Sequence, residues 1–467
     1  MYGEAKLPLI WHSALWLNVA WLFSVFCLYR LEKQAQPPSI KTIILIALSL
    51  RLVAVWAYPL LEDDMFRYLW DGYQLITHGQ PYGVTPADSL NATVPAAMSA
   101  VLDVVSFPDV PTIYGPVSQL LFGLSYWLAP GEVWPLQWFS LIADMLIIVM
   151  LSYYLRPSAL WLYAACPLII KEFTITAHPD IIGAALLLTA TLLAVKRYWK
   201  TAGLLLGLAI SVKVIAIIVA PLLLRLPLPK MFGGKSGSVQ WSGWLVLLLT
   251  VVCCHLPFII QALVTGNTWI SGTEWGGLAA MAGEWQFNAP IYDAMQQLWQ
   301  YFWQHWIGSD YFRQANQATT LILFALFAYW VYLRSNHWLT TTNNAVAGEK
   351  HSAASWPRVD WLFAVLLVIS PVINPWYLMW FLPFSALHIG YQQGRDWPLW
   401  PWIAATFVWL AYGIGLNLEG SGLEAYSGVA LGAYHIPNRV LAAEYGGIAF
   451  TILAIFIYRR IASNKSR

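Results

Sequence analysis

Three acids in succession, Glu62, Asp63 and Asp64, stand where an apolar run (residues 43–60) ends, and Arg67 and Asp71 follow at once. Carboxylates gathered this densely can take a proton from a hydroxyl nucleophile or hold a cation. Written as a helix, residues 62–73 put Asp64 on one face with Arg67, Tyr68 and Asp71. Glu62 and Asp63 then sit at the helix start, where the dipole favours acids. Met65, Leu69 and Trp70 are expected to rest against the lipid boundary. A well-capped surface helix with an ion pair would use the same residues, so the whole cluster, rather than any one acid, points to chemistry.

Other charges stand in apolar surroundings. The stretch KEFTITAHPDIIGAALLL (171–188) puts Lys171, Glu172, His178 and Asp180 at the mouth of a helix. Asp180 by itself reads as a capping residue; His178 beside a cavity could bind phosphate or a metal. GLAISVKVIAII (207–218) holds Lys213, and a charge inside a membrane usually marks a functional site, snorkelling from a helix end being the other reading. Asp144 and Arg51 raise the same question, and Arg51 could pair with an acid. Tyr114, Gly115 and Pro116 introduce an apolar helix, as proline at a helix start commonly does. SPVINPWYLMWFLPF (370–384) breaks one apolar stretch at Asn374–Pro375. Its aromatics, Trp376 among them, could pack on a sugar ring or belong to an interfacial belt. YHIPNRV (434–440) adds His435 and Arg439.

The elements that must position these residues are membrane helices. The 467 residues are 59% hydrophobic, 15% aromatic and only 10% charged, and the apolar runs are continuous rather than alternating, which favours helices over a β-barrel. The spacing predicts an all-α polytopic protein of about thirteen spans, a count with the usual uncertainty at element ends. The first run, near residues 8–29, reads as a retained helix because no small-residue cleavage site follows it. Lys and Arg concentrate in some loops and are sparse in residues 61–112, 263–316 and 418–444, which hold most of the acids. The positive-inside rule turns those three loops outward, with residues 334–358 and the C-terminus in the cytoplasm. Both ends of 203–224 look cytoplasmic, so a broken hairpin turning at Ser211–Lys213 is expected. The chain reads as one multi-pass domain with no fixed-period repeat. Four cysteines within apolar runs argue against a disulfide framework.

No phosphate-cradling glycine loop, HExxH, CxxC or nucleophile elbow occurs. Scattered basic residues and a net charge of +2 give no sign of a nucleic-acid partner. With no nucleotide-binding domain, a transfer reaction would need a substrate that arrives already activated.

In order along the chain, EDDMFRYLWDGYQLITHGQPY (62–82), YGP (114–116), HPD (178–180), GLAISVK (207–213) and NPWYL (374–378) resemble the integral-membrane GT-C glycosyltransferases. The likeness is to the bacterial branch similar to polyprenyl-phosphate-mannose-dependent mannosyltransferases. In this chain an additional helix precedes the acidic loop, and Pro179 stands where Asn is commoner in the family. The resemblance implies a juxtamembrane helical first outer loop. It implies transfer of a hexose, mannose favoured, from a polyprenyl-phosphate carrier to a hydroxyl of a glycan or lipid-linked acceptor, with inversion. Asp63 or Asp64 would be the base. Arg67, His178, Lys213 and Arg439 would bind the donor phosphate, and Glu62, Asp71, Tyr114, Asp180 and Trp376 the rest of the substrates. A divalent metal, Mg or Mn, held by Asp63 and Asp64 could share the charge. The implied setting is the cell (inner) membrane, with the site extracytoplasmic. A flippase or transporter, or a polymerase or ligase of lipid-linked saccharides, is the rival reading.

Overall fold

The computed structural model describes residues 38–59, 63–225, 239–281, 286–307, 311–335, 356–391, 402–409 and 438–465, with parts of 16–30. Among them the chain is helical throughout, and the only strand-like pairing is an isolated parallel bridge between Phe287 and Val372. Proline opens several helices, including Pro116–Leu128, Trp134–Ser152, Pro157–Ala164 and Pro290–Phe302, where its missing N–H costs nothing.

Four described helices are long and apolar enough to cross a membrane: Trp134–Ser152, Pro157–Ile175, Trp241–Val264 and Phe312–Leu333. Shorter apolar helices at Asp180–Val195, Trp199–Val212, Val214–Leu224, Val359–Ile369 and Leu441–Ala454 coincide with other expected spans. The expected segments near 8–29 and 398–417 fall largely outside the described residues, as does most of 418–444.

The acidic loop departs from expectation in one respect. Asp64–His78 is a helix, but Met65, Leu69 and Trp70 do not rest on lipid. They are buried in a small core of their own with Tyr68, Tyr73, Met98, Val101 and Phe122. The helix is sandwiched between Ala96–Leu102 and Pro116–Leu128. The crossing with the latter is so close that a Cβ on Gly72 would overlap the Phe122 carbonyl. Three helices thus cover one another's apolar faces, and the loop is a folded layer rather than one helix lying on the bilayer.

The larger core joins Ile43, Ile147, Tyr163, Phe173, Leu187, Leu206 and Phe363. A buried ion pair runs through it. Arg51 Nε donates to Asp144 Oδ2 at 2.6 Å and its Nη1 to the Ala164 carbonyl at 2.6 Å, while Tyr163 donates to Asp144 Oδ1 at 3.0 Å. Arg51 has therefore found the acid that its apolar surroundings demanded, and the pair fastens Ile40–Ala54 to two neighbouring helices.

The chain between Asp180 and Leu224 runs along the body three times. Trp199–Val212 ends where Lys213 turns extended (φ −152°, ψ 122°), and a 3₁₀ stretch, Val214–Val219, continues into Ala220–Leu224. At the far end, Leu224 is held to the start of the next helix by Gln240 N–H and Trp244 Nε1, which donate to its carbonyl at 3.2 and 3.0 Å. The expected break at Ser211–Lys213 is thus present. The other expected break is also there: the helix Val359–Ile369 ends before an extended segment, and a 3₁₀ turn begins at Pro375. Phe287 brackets that segment, donating to the Pro371 carbonyl and accepting from Ile373 N–H, both at 2.9 Å.

The Arg51–Asp144 pair yields a quantitative expectation. Arg51→Met leaves a buried carboxylate without its cation and is expected to cost about 3–5 kcal/mol, whereas Arg51→Met with Asp144→Leu should restore much of that loss. Unfolding of the detergent-solubilised single and double variants measures the difference; equal losses in both would show that the charges do not act as a pair.

Candidate active site

Five separated segments bring their polar groups together at one end of the helical body. The first is the start of Asp64–His78. Asp63 is its N-cap residue and makes no side-chain capping bond. Asp64 projects from the first turn with a quarter of its side chain exposed, its Oδ2 lying 3.5 Å from His178 Nε2.

His178 is presented by an unusual backbone. Residues Ile170–Ile175 form a π-helix, a form common at functional sites, and Ala177 follows with φ +62°. This turn carries His178 back over the π-helix, where its Nδ1–H donates to the Glu172 carbonyl at 2.9 Å. A carbonyl oxygen only accepts, so Nδ1 carries the proton and the Nε2 edge is the one turned to Asp64. The ring lies flat on Trp376, with centroids 4.1 Å apart and planes 13° from parallel. Gln137 steadies the turn by donating to the Ile175 carbonyl at 2.8 Å.

The segment that carries His178 continues into Asp180, which meets Lys213 through a charge. Asp180 opens the helix Asp180–Val195 without capping it. Its Oδ1 instead accepts from Lys213 Nζ at 2.8 Å and from Trp380 Nε1 at 2.6 Å. The Lys213 ammonium also lies over the Tyr377 ring, 4.3 Å from its centre, a cation–π contact. The last carbonyl of the helix that Lys213 terminates is taken up by the YGP segment and the residue two places after it. Gly115 N–H and Ser118 Oγ donate to the Val212 carbonyl at 3.2 and 2.9 Å. Gly115 is required by space, since a Cβ there would overlap the Ser211 carbonyl.

Tyr114 and Tyr68 line the same region, edge to face at 5.1 Å, with Tyr68 stacked on Phe122 at 4.8 Å. Burial, then Tyr114 and the Asp64 charge, push the Tyr68 phenol well above its ordinary value of 10.0. It is therefore a neutral hydroxyl at any working pH.

Arg67 and Asp71, both expected to meet substrate, lie in a buried network of their own. Arg67 donates to Asp71 at 2.9 Å and to the Val110 carbonyl at 2.7 Å. Asp71 also accepts from Thr112 and, at 3.1 Å, from Gln119. This buried network ties the acidic helix to the chain entering Pro116–Leu128, and both its charges are engaged within the protein. The structure thus brings together Asp64, Tyr114, His178, Asp180, Lys213 and Trp376, with Asp63 at the head of the same helix. Glu62 lies outside the described residues, as does the side chain of Arg439, which belongs to the last helix, Asn438–Lys465. Among the described residues no three His, Cys, Asp or Glu side chains converge in a way that could hold a metal ion.

Sequence reasoning does not single out Trp380 and Tyr377 among the aromatics of residues 370–384. Their places in a 3₁₀ turn gave no periodic signal. Glu172, noted as a charge, acts on His178 through its backbone carbonyl, which no residue type announces.

An all-helical membrane body that gathers a carboxylate, an imidazole and an ammonium at one end defines a class suited to acid–base and phosphate chemistry. Residues 3–228, just under half of the chain, match the family model described as alpha-(1->6)-mannopyranosyltransferase, N-terminal domain, and this likeness supports a glycosyltransferase. No curated protein and no solved structure matches. Asp64, His178, Asp180 and Lys213 all lie inside the matched span, while Trp376, Tyr377 and Trp380 come from beyond it.

Gly115→Ala should force the YGP turn off Ser211 and Val212 and so displace Lys213. Its expected signature is a loss of glycosyl transfer of at least about tenfold, with a destabilisation typical of close-packed sites, about 1–3 kcal/mol. Transfer assays and unfolding of the same preparation measure both, and an unchanged rate would show that the turn does not govern Lys213.

Proposed function

We propose that this protein transfers a hexose, mannose first among candidates, from a polyprenyl-phosphate carrier to an acceptor hydroxyl at the extracytoplasmic face of the cell membrane. The observation that carries this reading is the Asp64–His178 approach at 3.5 Å, inside a cluster that also contains Lys213. A partly exposed carboxylate stands next to buried cationic and aromatic groups, as a hydroxyl nucleophile and an anionic leaving group together require.

The step is a single displacement. The acceptor oxygen gives its proton to Asp64 and forms a bond to the anomeric carbon, while the bond from that carbon to the phosphate oxygen breaks and its electron pair leaves with the polyprenyl phosphate. No enzyme nucleophile is needed, and the anomeric configuration inverts. Lys213, and His178 when protonated, stabilise the charge growing on the phosphate. Both cations stand in surroundings of low polarity, where their effect on a developing charge is largest. Trp376, stacked flat on His178, holds the imidazole in place beside the reacting groups. The prenyl tail lies along the exposed apolar helices, and the remaining expected spans complete a multi-pass GT-C body whose C-terminus is cytoplasmic.

Incubating the purified protein with radiolabelled polyprenyl-phosphate mannose and a panel of saccharide acceptors tests the reading. Asp64→Asn is expected to lower kcat by about 10²–10⁴, the usual contribution of a general base, while Asp63→Asn has the smaller effect. Lys213→Met should cost about 10²–10³ in kcat. Full activity in Asp64→Asn would remove the base from the mechanism, and carrier that crosses the bilayer with its sugar still attached would identify a flippase instead.

A further inference from the structure

Asp180 is 1% exposed, and its two oxygens are treated unequally. Oδ1 takes both donors, Lys213 Nζ and Trp380 Nε1. Oδ2 is enclosed just as fully and accepts from no donor among the described residues. A buried carboxylate oxygen left without a donor is costly and rare. Its surroundings are those of the candidate active site, because the phenols of Tyr68, Tyr114 and Tyr377 lie within electrostatic reach of both Asp64 and Asp180.

The inequality is built by Trp380. Its indole is 1% exposed and lodged against Gly183, one turn along the helix from Asp180, where a Cβ would overlap the ring. Phe363 packs on its other side with centroids 5.6 Å apart. Held between these, the indole keeps its N–H on Oδ1. Lys213 has the opposite character: its stem is flexible, its side chain keeps 17% exposure, and its ammonium could straddle both oxygens if the carboxylate turned. A fixed N–H on Oδ1 prevents that turn.

We propose that Asp180 Oδ2 accepts a hydrogen bond from a hydroxyl of the hexosyl donor, and that Trp380 is the positioning residue that reserves this oxygen for it. The inference rests on the reading of the protein as a polyprenyl-phosphate hexose transferase and names the feature of the sugar that the site recognises. A site built to bond a hydroxyl rejects the analogue lacking it far more strongly than an apolar pocket rejects a missing methylene, because the buried partner is left unpaired. Discrimination among hexoses is then set at Asp180, while Asp64 performs proton transfer.

The test uses the full-length protein in lipid nanodiscs with prenyl-phosphate mannose and analogues each lacking one ring hydroxyl. In the wild type, one analogue is expected to lose about 100-fold in kcat/KM. Trp380→Phe keeps the ring and removes the N–H. It is expected to raise KM for the parent donor about tenfold, with a smaller change in kcat, and to shrink the penalty on that one analogue to within about threefold. Asp180→Asn should remove the same selectivity. A residue that only supports the fold would lower all substrates alike. The inference is overturned if Trp380→Phe discriminates as the wild type does. It is overturned equally if the wild type accepts every deoxy analogue as well as the parent, which would mean that Oδ2 meets only water; this second outcome needs no variant to fold. A wild type that neither binds nor turns over any of the carriers overturns the functional reading first, and this inference with it.

Discussion

Lys213 keeps its charge inside an apolar body because Asp180 meets it at 2.8 Å, and much of the structure exists to let that happen. A lone ammonium in such surroundings would lose its proton or pull its end of the helix toward water. The pairing demands that the helix stop at Val212, so that Lys213 leaves it in an extended conformation. Stopping a helix inside the body orphans its last carbonyls, and Gly115 and Ser118 both donate to that of Val212. Asp180 in turn must face the gap, which it does from the first turn of a helix whose dipole favours a carboxylate there. One ion pair thus fixes the meeting of three segments far apart in sequence.

The rest of the cluster follows a similar logic. A π-helix and a left-handed alanine bring His178 round to Asp64, and Trp376 clamps the imidazole from its other face. The acidic helix is anchored through Arg67 and Asp71 and through its glycine crossing with Pro116–Leu128. Pro116–Leu128 thus serves both sides of the cluster, packing on the acidic helix while Gly115 and Ser118 at its start hold the Val212 carbonyl. Asp64 and the groups it faces come from different helices, and Asp64 keeps a quarter of its side chain exposed while His178 is fully buried.

Much of this was legible in the residues. Continuous apolar runs gave the helical membrane class, and charges stranded within them marked Arg51, Asp144 and Lys213, because burial of an unpaired charge is too costly to be accidental. The break at Lys213 followed from loop charges alone. What could not be read was partnership. Arg67 and Asp71 carry the same chemistry whether they bind a substrate or each other, and only the folded loop shows them bound to each other and to residues 110–119. Met65, Leu69 and Trp70 looked like a lipid-facing stripe because helical spacing is the same for any apolar cover; the cover is protein. Trp380 was indistinguishable from its many neighbouring aromatics until its N–H was seen on Asp180.

The bridge between Phe287 and the 370–374 segment ties distant parts of the chain to the imidazole. Tyr445, on the last helix, donates to the Asn288 carbonyl at 3.0 Å, and Asn288 itself donates to Glu444 at 3.2 Å. Phe287, the neighbouring residue, grips the backbone that leads through Asn374 to Trp376, and Trp376 lies on His178. The tilt of one heterocycle is therefore mechanically coupled to the C-terminal helix Asn438–Lys465. A ligand or antibody fragment seated on residues 286–289 would reach the candidate site through the Phe287 backbone bridge and the Trp376–His178 stack, without entering it.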